Sequence, residues 1–113
     1  MDTTMMHWPM TVQMIMDHGA KVFPDSRVGT FDGESMSYTS YSEIARNAAR
    51  LAASLRSLGI AAGDRVATFS WNNTAHREAY LGIPSMGAIM HTVNIRLSPE
   101  HIAYIINPAE DKV

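Results

Sequence analysis

The stretch that decides the fold runs from residue 40 to residue 69 and reads SYSEIARNAARLAASLRSLGIAAGDRVATF. It opens with the spacing of a helical capping box, in which the Ser40 hydroxyl accepts from the Glu43 amide and the Glu43 carboxylate returns to the Ser40 amide. At about 100° per residue, four apolar side chains beyond Ile44 project on the same side as Ile44. They are Ala48, Leu51, Leu55 and Leu58. The pattern predicts an amphipathic helix over residues 41–58.

The residues after this helix predict its end and a following strand. Gly59 can adopt the left-handed conformation that stops a helix, and Ile60 is placed to fold back on the last turn in a Schellman arrangement. Gly63-Asp64 then predicts a turn, and the β-branched and aromatic residues of 65–70 predict a strand.

Two more helices and one more strand complete the alternation. Asn72-Asn73-Thr74 predicts the start of a helix over 75–86, which Pro84 kinks or ends and Gly87 closes. Residues 88–93 are mostly apolar, which favours a strand buried on both faces. Ser98-Pro99-Glu100 supplies a cap, a first-turn proline and an acid for a helix over 99–107.

The two ends of the chain extend this pattern. Asn107-Pro108 predicts the end of the last helix, and residues 109–113 resemble the approach to a further strand. Near the N-terminus the apolar spacing predicts a helix over 10–22. Asp32-Gly33 predicts the turn of a hairpin whose strands cover 27–31 and 35–38.

Helices that alternate with strands indicate an α/β fold, here a partial parallel or mixed sheet with flanking helices. The 113 residues suffice for one core, and the sequence has no linker or internal repeat. We therefore expect a single domain over 1–113, or a piece of one. A composition of 46% apolar and 18% charged residues excludes a disordered chain.

Composition also excludes several function classes. Nine scattered Lys and Arg residues against 11 Asp and Glu residues leave no basic stripe, so we expect no nucleic-acid partner. No apolar run approaches the roughly 20 residues of a transmembrane helix, and an acid stands where a signal peptide carries basic residues. We therefore expect a cytoplasmic protein. The absence of cysteine excludes disulfides, thiolate nucleophiles and Cys-ligated metals.

The candidates for chemistry are weak. Ser85 lacks the glycine two residues earlier that a nucleophile elbow needs, since that position is Ile83, so we interpret Ser85 as a small residue on a packed helix. Phosphate-binding glycine motifs are absent. We predict no catalytic residue. We also predict no metal site, because three of the five histidines in the chain, His76, His91 and His101, lack metal-ligand spacing.

Several residues carry two interpretations. His91, on a predicted strand, is either a hydrogen-bonded core or interface histidine, which we favour, or a pocket residue. His76-Arg77 with Glu78 is interpreted as a solvated helix face. Trp71 stands at the end of a strand, where open α/β sheets bind ligands, although we favour core or interface packing for it. Met10, Met14 and Met16 favour adaptable packing over a partner-binding groove.

The sequence as a whole resembles the N-terminal part of adenylate-forming (AMP-binding) acyl-CoA synthetases, and in particular the medium- and long-chain fatty-acid–CoA ligases. The resemblance covers residues 10–113 and rests on the order and spacing of motifs that are individually weak. These motifs are Tyr38-Thr39-Ser40-Tyr41-Ser42-Glu43-Ile44, Arg50-Leu51-Ala52-Ala53-Ser54-Leu55, Leu58-Gly59-Ile60, Gly63-Asp64-Arg65-Val66-Ala67, Asn72-Asn73, His76 to Tyr80, Pro84-Ser85-Met86-Gly87-Ala88, His91-Thr92-Val93-Asn94-Ile95-Arg96-Leu97-Ser98-Pro99-Glu100 and Tyr104-Ile105-Ile106-Asn107.

The resemblance implies a fold, the N-terminal subdomain of the acyl-CoA ligases, and a parent activity. That activity joins a fatty acid to CoA through an acyl-adenylate, with ATP, Mg²⁺ and CoA as cofactors and co-substrates. It also implies that the phosphate loop and the ribose-binding residues lie outside these 113 residues, so the cofactor-binding residues stay unknown. We accordingly expect the chain alone to bind none of these groups and to be inactive.

Two residues of the matched region, Asn94 and Arg96, also have structural interpretations. Asn94 is expected to cap or bridge the loop after the second strand. Arg96 is expected to pair with an acid, or else to reach toward a nucleotide.

A second function stays open from the sequence. The chain is alternatively a self-sufficient small α/β binding or oligomerisation module without catalysis. For a subdomain separated from the rest of its parent protein we expect homo-oligomers, formed through exposed apolar surface.

Overall fold

The computed structural model describes residues 4–5 and 7–113, and it confirms the predicted order of elements. The elements are α1 (Val12–Val22), β1 (Arg27–Phe31), β2 (Met36–Ser40), α2 (Tyr41–Ser57), β3 (Arg65–Thr68), α3 (Thr74–Ser85), β4 (Ile89–Thr92) and α4 (Pro99–Ala109). None of the helices in this described part has the length and apolar character needed to cross a bilayer. Helix α1 starts two residues later than predicted, because the hydroxyl of Thr11 caps it by accepting from the Met14 amide.

The first two strands form the predicted antiparallel hairpin. Gly29 pairs with Tyr38, and Phe31 pairs with Met36. In the turn the Asp32 carboxylate accepts from the amides of Ser35 at 2.8 Å and Glu34 at 2.9 Å. The Asp32 side chain therefore supplies the hydrogen-bond acceptor that a neighbouring strand would otherwise supply to these two amides.

Helix α2 has both predicted ends. The Ser40 hydroxyl accepts from the Glu43 amide at 3.2 Å. At the other end the Ile60 amide donates to the Leu55 carbonyl at 3.0 Å and the Gly59 amide to the Arg56 carbonyl at 2.9 Å, which is the Schellman pattern. The expected burial of Leu58 is wrong. This residue is the C-cap and is 69% exposed, because the chain has already left the helical path.

The core lies between α2, α3 and one face of the parallel pair. Its centre is Ile83, the most deeply buried of the large side chains. A Cβ added to Gly82 would lie 2.7 Å from the Ala48 carbonyl oxygen, so the two helices meet backbone to backbone. The core is completed by Ala52, Leu55, Ile60, Val66, Ala79, Met86 and Ala88.

Strands β3 and β4 pair in parallel, with Val66 opposite Met90 on the core side. The prediction that the second strand is buried on both faces is wrong, since Ile89 is 48% exposed. Apolar composition cannot distinguish a strand that is covered twice from one that this chain covers on a single face.

The C-terminal segment lies beside β3. The Lys112 amide donates to the Arg65 carbonyl at 2.8 Å, and the Val113 carbonyl accepts from the Ala67 amide at 2.7 Å. These bonds place residues 112–113 along the second edge of β3. The sequence predicted that residues 109–113 approach a further strand. The predicted stop at residues 107–108 is wrong by two residues. Helix α4 includes Pro108 and ends at Ala109, and its C-cap Glu110 has a left-handed φ of 54°.

Candidate functional site

An open cavity of about 380 Å³ lies where the two parallel strands end. In open α/β sheets ligands bind beyond the carboxyl ends of the strands, so this cavity occupies the expected place for a ligand. Its walls come from the segment after β3, from α3 and from the loop after β4. The lining residues are Ser70, Trp71, Asn72, His76, Tyr80, Thr92, Val93, Asn94, Ile95 and Arg96.

His76 forms the buried wall of this cavity. The helix starts three residues earlier, where the Asn73 side chain accepts from the His76 amide at 2.9 Å. The imidazole Nε2 lies 3.1 Å from the Thr68 hydroxyl, and Nδ1 is buried without a hydrogen-bond partner. The interpretation of residues 76–78 as a solvated face is therefore wrong for His76, which is 8% exposed.

The other members of that trio behave differently. Arg77 is exposed, as predicted, whereas Glu78 is half-buried and accepts from the Asn47 side-chain amide at 2.8 Å. A helix turns by about 100° per residue, so three consecutive residues cannot share one environment.

Trp71 and Arg96 form the exposed rim of the same cavity. Trp71 is 65% exposed, which contradicts the expected core packing and leaves an interface or a ligand as its neighbour. The Arg96 guanidinium lies 5.7 Å from the centre of the Trp71 ring, a cation–π distance. Arg96 therefore interacts with an aromatic ring rather than with an acid of the described residues. As predicted, Asn94 braces this loop, because its side-chain oxygen accepts from the Arg96 amide at 3.0 Å.

Tyr80 is a member of the site that the sequence did not single out. Its ring meets the imidazole of His76 edge to face, with 5.1 Å between the ring centres. The signal was present, because residues four apart lie on one face of a helix and Tyr80 follows His76 by four.

The remaining candidates lie elsewhere. Ser85 is half-buried, and its hydroxyl is buried without a partner, which agrees with its interpretation as a small packed residue. His91 is hydrogen-bonded as predicted, with Nδ1 2.8 Å from Asp111. Met16 packs against α2 and α3, whereas Met10 is exposed and does not support the packing interpretation. His101 is exposed on α4.

The cavity beyond the ends of β3 and β4, the strand-end cavity, has groups that can bind a ligand. It offers an aromatic face, a guanidinium and two amide side chains, which suit a planar or anionic group. Over residues 4–5 and 7–113, no three histidine, aspartate or glutamate side chains are placed to hold a metal ion.

Comparison with known proteins gives a consistent match. A family model described as AMP-binding enzyme matches residues 16–113. A long-chain-fatty-acid–CoA ligase of Thermus thermophilus is 56% identical over 75 residues, which are 66% of this chain and 14% of that protein. A 3-methylmercaptopropionyl-CoA ligase of Ruegeria pomeroyi is 38% identical over 110 residues, 96% of this chain and 20% of that protein. The chain thus spans a fifth or less of the length of these relatives.

Solved structures share the fold. A Mycobacterium tuberculosis fatty acyl CoA synthetase superimposes with a TM-score of 0.81 at 25% identity, covering 90% of this chain and 20% of that one. The N-terminal subdomain of Klebsiella oxytoca NpsA, in complex with 3-hydroxyanthranilyl-AMSN, gives 0.83 at 24% identity, covering 97% of this chain and 28% of that one. The NpsA likeness shows the fold alone.

Proposed function

Because the chain belongs to the AMP-binding enzyme family, we propose that it forms the N-terminal subdomain of an ATP-dependent fatty-acid–CoA ligase. In the proposed reaction a carboxylate oxygen attacks the α-phosphorus of ATP and releases pyrophosphate. The thiol of CoA then attacks the acyl carbonyl of the adenylate and releases AMP. We place this reaction in the cytoplasm, where ATP and CoA are available.

The observation that carries the proposal is the family match over residues 16–113, together with the identity of 56% to a long-chain-fatty-acid–CoA ligase. A medium-chain-fatty-acid–CoA ligase of Ectopseudomonas oleovorans is also 35% identical over 111 residues. The relatives named for fatty acids favour this substrate class over the short sulfur-containing acid in the name of the Ruegeria enzyme.

The proposal assigns the 113 residues a supporting role. Adenylation needs donors that stabilise charge on the phosphates and a bound metal ion. The family resemblance implies that the residues for ATP and Mg²⁺ lie outside the chain, and no three histidine, aspartate or glutamate side chains of the described residues are placed together. We accordingly expect the isolated chain to show no carboxylate-dependent exchange of pyrophosphate into ATP. Exchange above a no-enzyme blank that a point substitution in the chain abolishes would contradict this assignment.

The experiment that tests the function starts from the gene. The reading frame is followed beyond Val113, and the complete encoded protein is assayed for AMP and acyl-CoA with octanoate, palmitate and 3-methylmercaptopropionate. Formation of acyl-CoA that requires ATP and a fatty acid supports the proposal. A complete protein without a phosphate-binding loop, or one that turns over only the short acid, overturns it.

A further inference from the structure

A pair of cavities lies between α1, the hairpin and α3, next to the strand-end cavity, with which the larger one shares Asn72, His76 and Tyr80. The larger has a volume of about 580 Å³, and the smaller one of about 210 Å³. They lie side by side, because Val28, Arg77 and Leu81 line both. The hydroxyls of Thr30 and Thr74, 2.8 Å apart, fix the hairpin against the start of α3 and so close one wall.

The larger cavity has a polar end with an uncompensated positive charge. Arg77 forms no ion pair with any residue in the described part of the chain, and its neighbour Glu78 is engaged with Asn47. His76 also lines this cavity, more than nine-tenths buried, and its Nδ1 has no hydrogen-bond partner. The exposed guanidinium of Arg77 is therefore the group that a ligand can reach at this end of the cavity.

The smaller cavity is apolar apart from Arg77 at its edge. Its lining is Ile15, Met16, Gly19, Val28, Tyr41, Ile44 and Leu81 together with Arg77. An apolar cavity of about 150 Å³ accommodates benzene, which has six carbons. The open cavity of about 210 Å³ is larger than that and has room for a short alkyl tail.

We propose that these two cavities form one binding site for an amphiphilic monoanion, a linear carboxylate whose headgroup lies against Arg77 and whose tail lies between α1 and α2. Charge complementarity selects the headgroup, since a guanidinium is a strong donor to a carboxylate. The apolar lining selects the tail. Binding at this site needs neither ATP nor CoA, so a test of this binding is independent of a test of the proposed ligase activity.

The test uses the 113-residue chain and radiolabelled octanoate in equilibrium dialysis, which reports binding whatever the oligomeric state. Saturable binding of octanoate is expected, with acetate and octanol competing poorly because each lacks one half of the ligand. Arg77→Gln is expected to weaken octanoate binding about tenfold or more, as for loss of a charge-assisted hydrogen bond. The matched control Arg50→Gln removes an exposed arginine from α2 and is expected to leave binding within about twofold of the wild type.

A second pair of variants tests the apolar end. Ile15→Gln is expected to weaken octanoate binding, whereas Leu58→Gln, at another exposed apolar position, is expected to leave it unchanged. Circular dichroism of each variant confirms that its helical content is retained. Absence of saturable binding overturns the proposal. So does equal weakening by Arg77→Gln and Arg50→Gln, or weakening by Trp71→Ala in place of Ile15→Gln.

Discussion

The imidazole Nδ1 of His91 lies 2.8 Å from a carboxylate oxygen of Asp111, and this pair joins β4 to the segment after α4. The Asp111 side chain is 3% exposed and that of His91 22%, so the contact is largely withdrawn from water. Arg65 reinforces it by donating to the Ala109 carbonyl. Side-chain contacts therefore hold the C-terminal segment in place beside β3, in addition to its two backbone hydrogen bonds.

The His91–Asp111 contact is expected to contribute measurably to the free energy of unfolding. Either single variant, His91→Ala or Asp111→Ala, leaves a buried polar partner unsatisfied and is expected to cost about 1–3 kcal/mol. The double variant is expected to cost less than the sum, because no unpaired group remains. Urea denaturation at pH 7 measures all three, with His101→Ala on the exposed face of α4 as the control. Strict additivity would show that the two side chains do not interact.

The close approach of α2 and α3 makes a second position sensitive to one methyl group. Gly82→Ala places a Cβ against the backbone carbonyl of Ala48, and overpacking of this kind costs about 1–3 kcal/mol. Gly19→Ala is the matched control, since its Cβ would only reach ordinary contact with Tyr41 at 3.4 Å. That change is expected to stabilise the chain by up to about 1 kcal/mol through helix propensity. Thermal melts in which Gly82→Ala is as stable as Gly19→Ala would contradict the helix packing.

Local signals predicted the helices and strands well. The Ser40 cap, the Gly59 stop and the Asp32-Gly33 turn depend on hydrogen bonds between residues two to five positions apart, and such bonds can be inferred from spacing. The proline after Asn107 was less informative. The last turn of α4 contains Pro108, so this proline lies inside the helix, one residue before its end, and does not stop it.

The errors concern burial, which depends on contacts between distant elements. His76 was assigned to a solvated face because its neighbours Arg77 and Glu78 are charged, yet it packs toward Thr68 on β3. Trp71 was expected in the core or at an interface, yet within this chain it forms an exposed rim with Arg96. Both residues line the strand-end cavity. At both positions the burial predicted from neighbouring residues differs from the burial in the folded chain.

The hairpin turn is expected to make stability depend on pH below neutrality. Hydrogen bonds from the Ser35 amide and the Glu34 amide lower the pKa of the Asp32 carboxyl below its usual value of about 3.8. A lowered folded-state pKa stabilises the fold above the usual value, and this contribution is lost as the pH falls through the lowered one. Wild type is therefore expected to have a higher Tm than Asp32→Ala at pH 7, and this difference in Tm should shrink as the pH falls below about 3.8.

The Asn variant controls for the loss of an acceptor. Asp32→Asn retains an oxygen for the two amides but cannot titrate, so its Tm difference from Asp32→Ala is expected to stay constant over the same range. A difference between wild type and Asp32→Ala that persists at low pH would show that the carboxylate charge does not matter there.

The last prediction concerns association, and it bears on the alternative of a self-sufficient module. Large apolar side chains are exposed on several elements of the described chain, and β4 has a neighbour on one edge only. They include Phe31, Phe69, Trp71, Ile89 and Tyr104. Exposed apolar patches and unpaired strand edges both promote pairing between copies.

We therefore expect the 113-residue chain to dimerise or aggregate at micromolar concentration. Size exclusion coupled to light scattering measures the mass directly, and Ile89→Lys on the open edge of the sheet is expected to shift the distribution toward the monomer. Exposed Ala49→Lys on α2 is the charge-matched control and should leave the distribution unchanged. A sharp peak at 12.5 kDa with little binding of a hydrophobic dye would show that the chain covers its own core. That result would favour the self-sufficient module over a subdomain whose surfaces are completed by the rest of a ligase.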